Sequence, residues 1–283
     1  MALGGILTAM VTPFDPDGGL AEEATVGLMR HLLANGSDGL VLAGTTGESP
    51  TLSDDEKRRL WELGVQECGG DGLIVAGTGS NDTRHSIELT ELATEAGVDA
   101  VLVVAPYYNK PNRRGILAHY RAVAAATDRP VIIYNIPSRT ALDLPNDLLR
   151  ELAEIPNVTA VKQSRYEDVA PIEGLDLLAG NDDTLARVLD MGGTGGVLVA
   201  SHLVGREMRR MIDEPEHRQE IHDSLLDLFK VLFVTTSPIP VKAALNMLGH
   251  DVGAPRLPLV EASEEEKALV REVLERHGLL ARV

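Results

Sequence analysis

A single cysteine is the first shortage in this chain of 283 residues. Cys68 has no intrachain partner, so no disulfide can staple the fold, and such cysteine use fits a reducing cytoplasm. It stands in Gln66-Glu67-Cys68-Gly69-Gly70, where an inert thiol near a helix end is expected. Long apolar runs are also missing. No stretch approaches the ~20 residues of a membrane span. Met1 to Thr12 lacks the basic leader of a secretory signal and runs directly into Pro13-Phe14-Asp15, so a soluble, cytoplasmic protein is expected. Positive charge is scarce: 26 Lys and Arg stand against 43 Asp and Glu, a formal net charge of −17. That balance argues against nucleic acid or an anionic membrane as partner, because both need concentrated cations. If the substrate is a carboxylate, the useful cations must be few and gathered at one mouth. The eight histidines are scattered, with no pair at a spacing such as His-Glu-x-x-His, so no metal is expected. The glycines match neither a phosphate loop nor a dinucleotide fingerprint, so no cofactor is expected either.

What is present is a rhythm. Short apolar, β-branched runs recur at Ile6-Val11, Gly39-Leu42, Leu73-Ala76, Ala100-Val104, Val131-Tyr134, Val158-Val161, Leu175-Ala179 and Gly196-Ala200. Helical periodicity fills the intervals, as in Glu22 to Leu33 and Ser53 to Val65, the latter opening with the capping-box pattern Ser53-Asp54-Asp55-Glu56. The runs are continuously apolar rather than alternating, as a sheet covered on both faces requires. Eight strands alternating with helices predict an α/β fold, a (β/α)8 TIM barrel, which needs about 250 residues. The barrel is expected over residues 1–205. Residues 206–283 show only helical patterns and predict a C-terminal helical extension, with Pro238 and Pro240 at one helix start and Ser263-Glu264-Glu265-Glu266 capping the last helix. No low-complexity linker and no solenoid repeat interrupts the chain.

Active sites of such barrels lie at the C-terminal ends of the strands. Those ends carry Gly44-Thr45-Thr46-Gly47-Glu48 after strand two, Pro106-Tyr107-Tyr108-Asn109 after strand four, Tyr134-Asn135-Ile136-Pro137-Ser138-Arg139 after strand five, and Lys162 after strand six. Of six lysines, Lys57, Lys110 and Lys267 sit in polar, surface-like contexts, and Lys230 and Lys242 in helical patterns where a stem can snorkel. Only Lys162 ends a buried strand. Burial disfavours the ammonium and favours the nucleophilic amine; the alternative is a structural ion pair, for which Glu48 is the one candidate carboxylate at the neighbouring strand ends. Tyr134 and the Thr45-Thr46 pair can pass protons to and from a carbinolamine, although a strand-end tyrosine can also be mere packing. The Gly-Thr-Thr-Gly turn can offer backbone amides to a carboxylate. Arg139 offers a bidentate clamp for one, or is simply a solvated loop residue.

Taken together, these motifs, with Thr12-Pro13-Phe14, Lys110-Pro111, Thr140 and Pro238-Ile239-Pro240-Val241-Lys242, resemble the dihydrodipicolinate synthase branch of the N-acetylneuraminate lyase superfamily, the pyruvate-dependent class I aldolases. The likeness spans nearly the whole chain. It implies that Lys162 forms an imine with pyruvate, that Tyr134, Thr45 and Tyr108 relay protons, that Thr45 and Thr46 hold the pyruvate carboxylate, and that Val197 lines the pocket. It implies that Arg139 binds the carboxylate of L-aspartate 4-semialdehyde, in lysine and diaminopimelate biosynthesis. It also implies a homodimer or homotetramer in which the tyrosine matching Tyr108 enters the neighbouring subunit's site. Two departures bear on the acceptor aldehyde. Gln163-Ser164-Arg165-Tyr166 replaces the usual Glu-Ala-Ser/Thr-Gly, and Ala141 replaces a glycine. They leave room for another aldolase or dehydratase acting on a sugar-derived 2-keto acid, with Arg165 as an extra carboxylate contact, and then for a non-catalytic keto-acid-binding barrel. In lysine-sensitive relatives the effector binds through positions matching Ser49, Pro50, Asp54, Lys57, Asn81, His85 and Tyr107. Here Lys57 replaces a histidine and His85 a glutamate, so weak lysine inhibition is expected.

Overall fold

The computed structural model describes residues 3–281. Eight parallel strands close in sequence order: β1 (Gly5–Ala9), β2 (Gly39–Leu42), β3 (Leu73–Gly77), β4 (Ala100–Val104), β5 (Val131–Asn135), β6 (Val158–Gln163), β7 (Asp176–Ala179) and β8 (Gly195–Leu198). The expected barrel is therefore present. The helices between them are α1 (Glu22–Ala34), α2 (Asp54–Cys68), α3 (Thr83–Ala96), α4 (Arg113–Ala124), the single turn α5 (Pro137–Thr140), α6 (Asn146–Ala153) and α7 (Leu185–Asp190); contrary to expectation, residues 164–175 cross from β6 to β7 without a helix. After β8 come α8 (Ser201–Asp213), α9 (Arg218–Val231), α10 (Ile239–Met247) and α11 (Glu264–Arg276), the C-terminal helices. Both capping boxes form: Ser53 with Glu56 on α2, and Ser263 with Glu266 on α11.

The continuous apolar runs are explained by two separate cores. Alternate strand residues point inward and fill the barrel, among them Leu7, Val41, Val75, Leu102, Ile132, Ala160, Leu178 and Val197. Their neighbours point outward and pack on the helices, as Ile6, Leu40, Ile74, Val101, Ile133 and Val161 do. Both faces are thus dry. The seam between β1 and β8 is closed on Gly5 and Gly195, both at positive φ; a Cβ on Gly195 would collide with the Gly5 backbone carbonyl.

Two strands stop earlier than their apolar runs suggest. β1 ends at Ala9, not Val11, because the Val11 amide donates to His202 Nε2 at 3.1 Å instead of to a neighbouring strand. β8 ends at Leu198, not Ala200, because the amides of Val199 and Ala200 donate to Asp182 Oδ1 at 2.9 and 3.0 Å. Side chains from elsewhere in the fold have intercepted the ladder.

Candidate functional site

The site begins with a register. β5 pairs with β6 so that Tyr134 faces Lys162, and Lys162 lies two residues beyond inward-facing Ala160, hence on the same face. The Lys162 Nζ sits 4.0 Å from the Tyr134 ring centroid, and both residues are buried. Tyr134, Thr45 and Arg139 line a cavity of about 510 Å³, whereas Lys162, Thr46 and Val197 are not among its lining residues. Among the described residues Lys162 makes no salt bridge. Glu48, the carboxylate suspected as its partner, is taken by Lys242, Oε1 to Nζ 2.7 Å.

The Gly44-Thr45-Thr46-Gly47 loop enters and leaves through two non-glycine residues in the left-handed region, Ala43 (φ 53) and Glu48 (φ 57). Such backbone costs of order 1 to 3 kcal/mol per residue and persists only where its surroundings impose it. Here the Thr12 hydroxyl donates to Gly47 O at 2.7 Å, Glu48 N donates to Thr45 O at 3.1 Å, and Ser49 N to Gly44 O at 3.1 Å. Thr46 is buried and Thr45 half-buried at the cavity wall. Val197 is buried inside the barrel on β8. Arg139, on the turn α5, is exposed at the rim and donates to Ser237 O at 3.3 Å. Ala141, standing where relatives are expected to carry glycine, occupies the left-handed region at φ 54, which is the conformation a glycine relieves.

Tyr108 is not brought to the cavity within this chain. It is 86% exposed, at φ 71, and its hydroxyl makes no hydrogen bond among the described residues.

Several side chains differ from the sequence reading. Lys57 is buried, not surface-like, and reaches Asp54 at 3.3 Å. Lys242 does not snorkel; it is sealed in the interior. Glu48 is not the only buried carboxylate near the strand ends. Asp182, in the 3-10 turn Asp182–Thr184 after β7, is buried as well. Burial pushes its carboxyl up to about 6; the Ala200 and Val199 amides, and more weakly the Lys162 charge, pull the other way. Its Oδ2 has no hydrogen-bond partner. The signal was available: two acids, Asp182 and Asp183, stand three and four residues beyond the end of β7, on the side where barrel sites are built.

The departures after Lys162 form a brace. Arg165 donates to Asp143 Oδ2 at 2.9 Å, Asn146 Oδ1 at 2.6 Å and Asp168 O at 2.7 Å. Asn135 Nδ2 donates to Asp143 Oδ1 at 2.9 Å and Gln163 Oε1 at 3.1 Å. The loop after β6 is thereby stitched to the chain between α5 and α6, and the Arg165 guanidinium is committed to protein acceptors. Cys68 is buried at the end of α2, and burial raises its thiol, as an unreactive cysteine requires. Among the described residues no cluster of three or more His, Cys, Asp or Glu is arranged to hold a metal ion, and no helix is long and apolar enough to cross a membrane.

A closed (β/α)8 barrel with a strand-end lysine lying against a tyrosine at the floor of its mouth has the layout of a class I, amine-dependent lyase. Within that class the chain belongs to the dihydrodipicolinate synthetase family, whose profile matches residues 2–277. It is 47% identical to the 4-hydroxy-tetrahydrodipicolinate synthase of Desulforudis audaxviator, with 98% of each chain covered. It superposes on the dihydrodipicolinate synthase of Aquifex aeolicus with a TM-score of 0.94 at 40% identity, covering 99% of this chain and 100% of that one. It superposes equally well, at 0.94 and 39% identity, on the dihydrodipicolinate synthase of Cyanidioschyzon merolae with lysine bound, covering 98% and 99%.

Proposed function

We propose that this chain is a Schiff-base lyase that condenses pyruvate with L-aspartate 4-semialdehyde to 4-hydroxy-tetrahydrodipicolinate, in lysine and diaminopimelate biosynthesis. The observation that carries the reading is Lys162, buried at the end of β6, without a salt-bridge partner among the described residues, and 4.0 Å from the Tyr134 ring. Its Nζ adds to the keto carbon of pyruvate, the keto oxygen leaves as water, and a cationic imine remains. Loss of a proton from the adjacent methyl group gives an enamine whose carbon attacks the aldehyde, and the aldehyde oxygen takes a proton. The amino group of the aldehyde substrate then adds to the imine carbon and expels the Lys162 amine, closing the ring and freeing the enzyme. Tyr134 and Thr45 pass the protons, Thr45 and Thr46 hold the pyruvate carboxylate, Val197 walls the pocket, and Arg139 at the rim takes the carboxylate of the aldehyde substrate. The chemistry uses no metal or cofactor.

Tyr108 completes the relay from a second copy of the chain, which its exposure supports, so the working unit is a homodimer or a homotetramer. The chemistry belongs to the barrel, divided from the C-terminal helical extension at residues 205 and 206, a boundary that α8 (Ser201–Asp213) runs across. The buried, single cysteine agrees with a cytoplasmic protein. An aldolase for sugar-derived keto acids draws less support, since Arg165, the cation it would use, is engaged with Asp143 and Asn146. A non-catalytic barrel would have lost its nucleophile, and Lys162 is present.

Borohydride tests the central step. With pyruvate present it should reduce the imine and leave a stable adduct on the wild-type chain, and Lys162→Ala should remain unlabelled. An adduct forming at the wild-type rate on Lys162→Ala would overturn the assignment. Turnover with pyruvate and a panel of aldehydes identifies the acceptor.

A further inference from the structure

The most deeply buried ion pair in the described structure lies outside the reacting group and has no role in the chemistry above. Lys242 on α10 and Glu48 on the Thr45-Thr46 loop meet at 2.7 Å, each side chain only 1% exposed. The second Glu48 oxygen accepts the Arg256 amide at 2.8 Å, and Lys242 Nζ also donates to Ala254 O at 3.2 Å. Lys242 and Arg256 both lie 4.2 Å from the Phe14 ring centroid, and Phe14 N donates to Val252 O at 3.1 Å. The Arg256 guanidinium continues to Glu56 at 2.5 Å and to Thr51 O at 2.8 Å. The chain between α10 and α11 is therefore strapped across the outer side of the loop that bears Thr45 and Thr46.

As a fastening, a buried ion pair is a poor choice, since taking two charges out of water costs about as much as their attraction returns. An apolar pair would hold the loop equally well. The position of Glu48 supplies a reason for a cation opposite it. Glu48 is three residues from Thr45, and its amide bonds the Thr45 carbonyl. Without Lys242, the Glu48 carboxylate would keep only the Arg256 amide and the Arg256 charge as compensation, leaving excess negative charge behind the loop that carries Thr45 and Thr46, inside a chain of net charge −17. We infer that Lys242 is a positioning residue for substrate binding: it cancels the Glu48 charge next to Thr45 and Thr46, so that the loop can accept a 2-keto carboxylate. This rests on the pyruvate reading of the site.

The test is the pyruvate concentration that half-saturates borohydride trapping, alongside steady-state KM and kcat, in Lys242→Met, Glu48→Gln and the double variant. Lys242→Met should raise half-saturation at least tenfold, with the effect falling on KM rather than on the saturated rate. The double variant should return to within threefold of wild type, because the offending charge has gone. Glu48→Gln, which keeps an acceptor for the Arg256 amide, should bind pyruvate as well as wild type or better. A structural fastening behaves differently: both single variants unfold more easily and pyruvate affinity does not follow charge. Lys242→Met with wild-type half-saturation, or a double variant no better than Lys242→Met, would overturn the inference. Should Lys242→Met not fold, Glu48→Gln and the double variant decide, and a tenfold weaker half-saturation in either rejects it. A wild-type chain that forms no pyruvate adduct would instead reject the pyruvate reading, which keeps the two failures apart.

Discussion

Asp182 should make the protein less stable as the pH rises, and Asp182→Asn should remove that dependence. The carboxyl is buried, with one oxygen held by the Val199 and Ala200 amides and the other unpartnered. Burial lifts it from 3.8 to about 6. A group whose folded value is raised binds more protons in the native than in the unfolded chain between those limits, so stability present at low pH is lost on the way up through about 6. At ~1.4 kcal/mol per pH unit the full loss is about 3 kcal/mol, of which about 2 falls between pH 4.5 and 7.5. Asparagine keeps the acceptor for the two amides and does not titrate. Relative to the protonated carboxyl, the need to partner a buried NH2 group costs about 1 to 1.5 kcal/mol at every pH. Asp182→Asn should therefore be about 1 to 2 kcal/mol more stable than wild type at pH 7.5 and no more stable at pH 4.5. Urea denaturation at the two pH values measures this. A wild-type-minus-variant difference that stays flat with pH would refute the buried-carboxylate argument. Because the Lys162 charge acts on Asp182, the same substitution should also slow adduct formation, by removing a negative group that favours the cationic imine.

Arg139→Ala should lower kcat/KM for the semialdehyde by about 2 to 4 kcal/mol while leaving the pyruvate adduct intact, the scale of a lost charged hydrogen-bond partner; unchanged kcat/KM with the semialdehyde would remove Arg139 from the acceptor site. Mixing inactive Lys162→Ala with inactive Tyr108→Phe under proven subunit exchange should restore some activity, since a mixed pair can hold one intact site; no recovery means each site is complete in one chain. L-Lysine should inhibit poorly, because the Asp54 carboxylate is already bonded by His85 at 2.9 Å and Lys57 at 3.3 Å, and a cationic ligand would meet Lys57. A coupling of ~1 to 3 kcal/mol is easily lost under such repulsion. Strong inhibition of the initial rate at subsaturating pyruvate would refute this.

What the linear chain determined by itself is what depends on neighbours in sequence. Eight apolar runs, all but β6 and β7 separated by helical stretches, suffice to specify a barrel, since each strand and helix writes its buried faces locally. The capping boxes at Ser53 and Ser263 are equally local, three residues wide. Lys162 stood out because a lysine terminating an apolar strand is anomalous wherever the strand lies. Tertiary structure decided the rest, because ion pairing and burial join residues that the sequence keeps far apart. Nothing around Lys242 says that Glu48, on a loop at the other end of the chain, waits for it in the interior. Nothing in Gly180-Asn181-Asp182 says that the amides of Val199 and Ala200 will close on the carboxylate and end β8 two residues early. Arg165 looked free until Asp143 and Asn146 were folded against it, and Tyr108 looked like part of the mouth until the fold turned it outward. Periodicity fixes which face of an element is dry; only the packed molecule fixes which polar groups are shut in together, and there the cost of an unpaired charge selects the partners.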